Sequence, residues 1–71
     1  MSRRFEFVGG LSAKFWEISI VDADVTVRFG RIGGAGQRQH QSFPSASAAH
    51  GHAEKLITAK LRKAYHEVSL V

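Results

Sequence analysis

The sequence predicts an α+β domain. It should hold an antiparallel sheet of about four strands, with a short fifth as a candidate at the C-terminus, and one amphipathic helix packed on one face. Three features lead there. Apolar residues alternate at period two through the first half of the chain. Short clusters of Gly and Asp interrupt those runs and leave no room for crossover connections, so consecutive strands should run antiparallel. After Pro44 the apolar spacing changes to that of a helix and stays so to Ala64.

Arg3 to Val8 reads as the first strand, with Phe5 and Phe7 on one face. Gly9-Gly10-Leu11-Ser12-Ala13 is expected as a flexible loop. Lys14 to Asp22 follows as a stronger strand: Trp16, Ile18 and Ile20 share one face, and Glu17 and Ser19 take the other beside Phe15 and Val21. Asp22-Ala23-Asp24 has turn chemistry. Val25 to Ile32 returns with Val25, Val27 and Phe29 on one face, completing a hairpin. Gly33-Gly34-Ala35-Gly36 is a second turn, rich in residues that accept positive φ. Gln37 to Phe43 is polar on both faces until Phe43, as suits an edge strand. Ser45, or alternatively Ser47, can cap a helix from Ala46 to Ala64. Its apolar stripe comprises Ala49, Ala53, Leu56, Ile57, Leu61 and Ala64, extended to Val68, with Lys60 inside the apolar arc. The tail Glu67 to Val71 reads as extended.

Seventy-one residues allow one domain, spanning 1–71. Cysteine is absent, so neither a disulfide nor a thiolate metal site is available. No apolar run approaches the roughly 20 residues that span a bilayer, and no apolar signal core follows the basic start. The expectation is a cytoplasmic chain with no membrane partner. The formal net charge is +4 and the isoelectric point about 10.1, which suits a polyanionic partner. The C-terminal half carries more of the surplus, with Arg38, Lys55, Lys60, Arg62 and Lys63 against Glu54 and Glu67.

At Phe29-Gly30-Arg31-Ile32-Gly33 the chain resembles the WGR family, named for a Trp-Gly-Arg motif in a strand followed by a small Gly-containing turn. Here Phe stands where the name has Trp. Lys14-Phe15-Trp16-Glu17-Ile18 is similar to the strand that precedes the motif in that family. Val25-Thr26-Val27-Arg28-Phe29-Gly30-Arg31-Ile32-Gly33, with Gly36-Gln37, is similar to its central signature. Phe43 before the helix, Lys60 and the pair Ala64-Tyr65 are similar to its closing pattern. The resemblance implies a sheet of about four antiparallel strands with one helix. It also implies a class of function, since WGR domains of poly(ADP-ribose) polymerases contact broken DNA ends and neighbouring domains. Carried over, the motif's stacking role falls on Phe29 and its polar role on Arg31, and the helix lysine corresponds to Lys60.

The candidate nucleic-acid-binding residues are therefore Phe29, Arg31, Arg28, Arg38 and Lys60, with Gly30, Gly33 and Trp16 as structural members of the motif. Phe29 could stack on a base or ribose, yet its parity with Val25 and Val27 is that of a core residue. Gly30 and Gly33 suit a bulge or turn, and a bulge would flip the facing of Arg31 and could present Phe29 and Arg31 together. The arginine fork suits phosphate, while the plainer alternative is a solvated face or ion pairs with Glu17, Asp22 or Asp24. His40, His50, His52 and His66 do not have the spacing of a metal site, and no cofactor is implied. No Gly-x-Ser-x-Gly elbow or phosphate-binding loop is present, so the expectation is a binding module rather than an enzyme. Its expected partner is nucleic acid, DNA before RNA. The alternative is a protein partner at the polar edge strand Gln37–Ser42. Monomer and homodimer both stay open.

Overall fold

Two tight turns fix the first half of the sheet. The computed structural model describes residues 1–69 and gives three long strands, β1 (Ser2–Gly9), β2 (Ser12–Val21) and β3 (Asp24–Arg31). The expected loop from Gly9 to Ala13 contracts to Gly10-Leu11, because Gly9 already pairs with Ser12. Gly10, at φ +58°, closes that turn. Asp22, at φ +55°, closes the next, and aspartate is among the side chains that tolerate the left-handed region. A longer connection leads to β4 (Gln37–Ser42), then α1 (Ala46–Arg62) and β5 (His66–Val68). The spatial order is β4-β3-β2-β1-β5, antiparallel throughout. The candidate fifth strand thus forms at the edge beside β1, held by a two-pronged bond from Arg3 to Glu67 at 2.8 Å. Leu70 and Val71, the rest of that expected tail, lie outside the described residues.

Alternation sorts the two faces as the sequence predicts. Phe5, Trp16, Ile18, Ile20, Val25 and Val27 point to the helix, where they meet Ala49, Ala53 and Ile57. Fully burying a side chain such as Phe5 or Ile18 contributes roughly 1.5–3 kcal/mol, so this single layer carries most of the stability. Small alanines at the contact let the helix lie close to the sheet. Ser45 is the cap, and its hydroxyl accepts from the Ala48 N–H at 3.1 Å.

The helix is shorter than its apolar period suggests. It stops at Arg62, and Ala64 takes a left-handed φ of +69°. The Tyr65 N–H then donates to the Lys60 carbonyl at 3.1 Å and the Ala64 N–H to that of Leu61 at 3.2 Å, a Schellman closure without its customary glycine. Ala64 and Val68 therefore leave the helical stripe, and Leu61 is left half exposed. The closure turns Tyr65 back toward the sheet, with its ring 5.7 Å from that of Phe7.

Candidate nucleic-acid interface

Alternation places Lys14, Phe29 and Arg31 on the helix side of the sheet, at the end where α1 finishes. Lys14 pairs with Arg31 and Trp16 with Phe29 in the β2–β3 ladder. The ladder runs unbroken through Gly30, so the expected bulge is absent and Phe29 and Arg31 share a face by period two alone. Lys60 reaches down from the last turn of the helix, its ammonium 5.7 Å from the Trp16 ring and 5.1 Å from the Tyr65 ring. A shallow cavity of about 250 Å³ lies here, lined by Lys14, Phe15, Phe29, Gly30, Arg31, Lys60 and Tyr65. Phe29 is half-buried: it packs against the core and also lines the cavity, which joins the two alternatives for it.

The electrostatics of this end are one-sided. Among the described residues, Lys14, Arg31 and Lys60 form no ion pair with a carboxylate. Burial holds the Lys60 ammonium below the ordinary lysine range, and the charges of Lys63 and Lys14 push it the same way. A cation pressed by burial and by like charges is stabilised by any anion that enters.

Arg28 and Arg38 lie on the opposite face, so the expected five-residue surface divides in two. Phe15 is only 1% exposed although no helix covers it. The guanidinium groups of Arg4 and Arg28 cover its ring, at 4.6 and 4.7 Å from the centroid. Glu17 holds both arginines, through Arg4 Nη1 at 2.8 Å and Arg28 Nε at 3.0 Å. Arg28 also donates to the Ala35 carbonyl at 2.8 Å, which pins the β3–β4 connection over the ring. That connection lies so close that a Cβ on Gly30 would come within 2.8 Å of the Gly36 Cα. Close backbone approach, rather than a bulge, is what Gly30 provides. Burial alone would raise the Glu17 carboxyl, but the hydrogen bonds from Arg4 and Arg28 outweigh it and hold the group below the ordinary range. Arg38 stands exposed beside this network.

Charge accounting separates the faces further. The helix-free side sets Arg4, Arg28 and Arg38 against Glu6, Glu17 and Asp24 and is balanced. The formal surplus of +4 therefore belongs to the helix side and its rim. Gly33, at φ +92°, shapes the turn beyond Arg31, and Trp16, 4% exposed, supports Lys60 from below. Sequence reasoning missed Lys14 as a site residue. Its parity with Trp16 and its place opposite Arg31 were the available signals.

Comparison with known proteins agrees with this architecture. The WGR domain family model matches residues 1–70. Uncharacterized protein YfeS of Escherichia coli (strain K12) is 34% identical over 67 residues, 94% of this chain. A crystal structure of a Bacteroides fragilis protein superposes with a TM-score of 0.94 at 42% identity over 97% of the chain. The chain spans 28% of the first relative's length and 20% of the second's. With the motif strand, the helix lysine and the whole matched length in agreement, the chain belongs to the WGR domain family.

Proposed function

We propose that this WGR domain is a nucleic-acid-binding module and not an enzyme, engaging the backbone or an end of DNA at the pole formed by Lys14, Arg31 and Lys60. The observation that carries the reading is the cavity there, which unites three cations with the half-buried rings of Phe29 and Tyr65 and, among the described residues, has no carboxylate in its wall. Phosphate would meet the cations, while a sugar or base would lie against an aromatic ring, a contact worth roughly 1–3 kcal/mol per base. The family assignment supports the same class of partner. Arg28 serves the fold in this reading, and Arg38 adds at most peripheral attraction.

Titrating duplex, nicked and single-stranded DNA and RNA over a range of salt concentrations tests it. Binding should weaken linearly on a log–log plot, and Arg31→Ala or Lys60→Ala should each lower the slope by about one phosphate contact. Lack of binding at low salt, or a flat salt dependence, refutes it.

One observation favours a second reading. β4 is an edge strand whose six residues are all exposed, open to strand addition by a protein partner. A complex that survives nuclease, Arg31→Ala and Lys60→Ala would select that reading.

A further inference from the structure

The basic cavity does not end at Lys60. It shares Phe29 and Lys60 with a neighbour of about 240 Å³, which in turn shares Val27, Gln39 and Leu56 with one of about 490 Å³. The three form a continuous trough along the helix side of the sheet, between α1 and β4. Its floor is apolar, built from half-buried Leu56 and the nearly fully buried Trp16, Val25 and Val27, and its walls carry Gln39, His40, Gln41 and His52. No aspartate or glutamate lines any of the three cavities, although the chain has six. By contrast, Glu17 lines the cavity on the helix-free face and Glu54 the one on the outer side of the helix.

We infer that this trough is a channel for single-stranded nucleic acid that continues from the phosphate-binding pole, an inference that rests on the nucleic-acid reading above. An unpaired base has apolar faces and edges that both donate and accept. The floor suits the faces. The amides of Gln39 and Gln41 and the imidazole of His52 supply both donors and acceptors for the edges. A duplex hides its base faces in the stack and would leave that floor unused. Charge is complementary as well: cations concentrate where the strand enters, and among the described residues no carboxylate lines the trough beyond, Asp24 standing outside its wall at 3.6 Å from His40. From Val25 to Arg31, β3 runs roughly 20 Å at about 3.3 Å per residue. That length accepts up to about six stacked nucleotides at 3.4 Å each.

The test uses 5′-phosphorylated oligothymidylates of one to eight nucleotides, titrated at low salt against the parent chain, Gln39→Glu and Arg31→Ala. Gln39 is exposed, so its substitution leaves the fold intact. Affinity should rise roughly tenfold or more between one and six nucleotides and then level off. Gln39→Glu should remove most of that rise and, because Gln39 shares a cavity with Lys60, weaken the mononucleotide only slightly, whereas Arg31→Ala should weaken every length. Side-chain NMR signals of Gln39, Gln41 and His52 should shift only with the longer strands. If the parent binds six nucleotides no more tightly than one, the channel is refuted while the phosphate pole stands. If no oligonucleotide or duplex binds, both readings fall together. If an extended acidic peptide moves the trough signals and oligothymidylates do not, the trough serves a protein and the inference is overturned.

Discussion

Both faces of the sheet set cations against aromatic rings, and they do so to different ends. On the helix-free face, Arg4 and Arg28 cover Phe15 and are held there by Glu17. On the helix side, Lys60 lies beside Trp16 and Tyr65 with Lys14 and Arg31 nearby, and no acid among the described residues holds any of them. In the first arrangement the chain satisfies its own charges and gains a second small apolar layer. In the second it leaves charge unsatisfied beside Phe29 and Tyr65, rings that remain partly open. Residue type alone does not separate the two; the presence or absence of one carboxylate does.

The largest expected effect tests whether the helix-free layer is structural. Phe15→Ala should cost about 3 kcal/mol or more, read by denaturant unfolding, because it empties a nearly fully covered site and strands two guanidiniums. A loss below about 1 kcal/mol would mean that the arginines cover nothing of consequence. Next comes a crossed pair. Arg28→Ala should destabilise by about 1–3 kcal/mol, since it leaves Glu17 short of a partner, and should leave DNA affinity nearly unchanged. Arg31→Ala should do the reverse, shifting stability by no more than about 0.5 kcal/mol while weakening DNA binding. Exchange of these outcomes would break the division between faces.

The two regions should also answer pH in different windows. The folded-state Glu17 value lies below the ordinary one, so its contribution is present above the ordinary carboxylate range and is lost as pH falls through the depressed value. The folded-state Lys60 value is lowered too, but for a base. The unfolded chain therefore binds more protons just below the ordinary lysine range, and stability rises with pH in that window. Unfolding curves across pH check both signs: Glu17→Gln should shrink the acid limb, which Glu67 shares through its hydrogen bond from Arg3, and Lys60→Met should remove the lysine's own contribution at high pH. The smallest effect is at the helix end. Ala64→Gly removes a left-handed alanine and should stabilise by about 0.5–1 kcal/mol, measured by thermal unfolding.

Much of this was legible from residue order. Period two assigned Trp16, Ile18, Val25 and Val27 to the core. Strict parity would also have put Phe29 with Arg31 and set Arg28 apart, but a glycine inside a strand permits a bulge, and the expectation that a bulge joins Phe29 to Arg31 left the three arginines grouped as one surface. Only the close approach of Gly30 to Gly36 shows why that glycine is there. Lys14 and Tyr65 were harder to place as site residues. Tyr65 joins through a helix end that no glycine announces, and the apolar spacing ran on past that end through Ala64 and Val68. Burial of Phe15 was invisible for a different reason, since its cover consists of arginines, which sequence patterning reads as solvent-facing.

The pairing of β5 with β1 has a consequence for how the domain can be carried. Val68 stands opposite Arg4, so the strand that opens the sheet and the one that closes it are neighbours running in opposite directions. Both lead away from the Lys14–Arg31 pole, toward the end marked by Ser2 and Ser19. A polypeptide continuing in either direction would depart from one shared corner. The domain can thus be mounted like a plug on a stalk, its Lys14–Arg31 end facing away from the point of attachment.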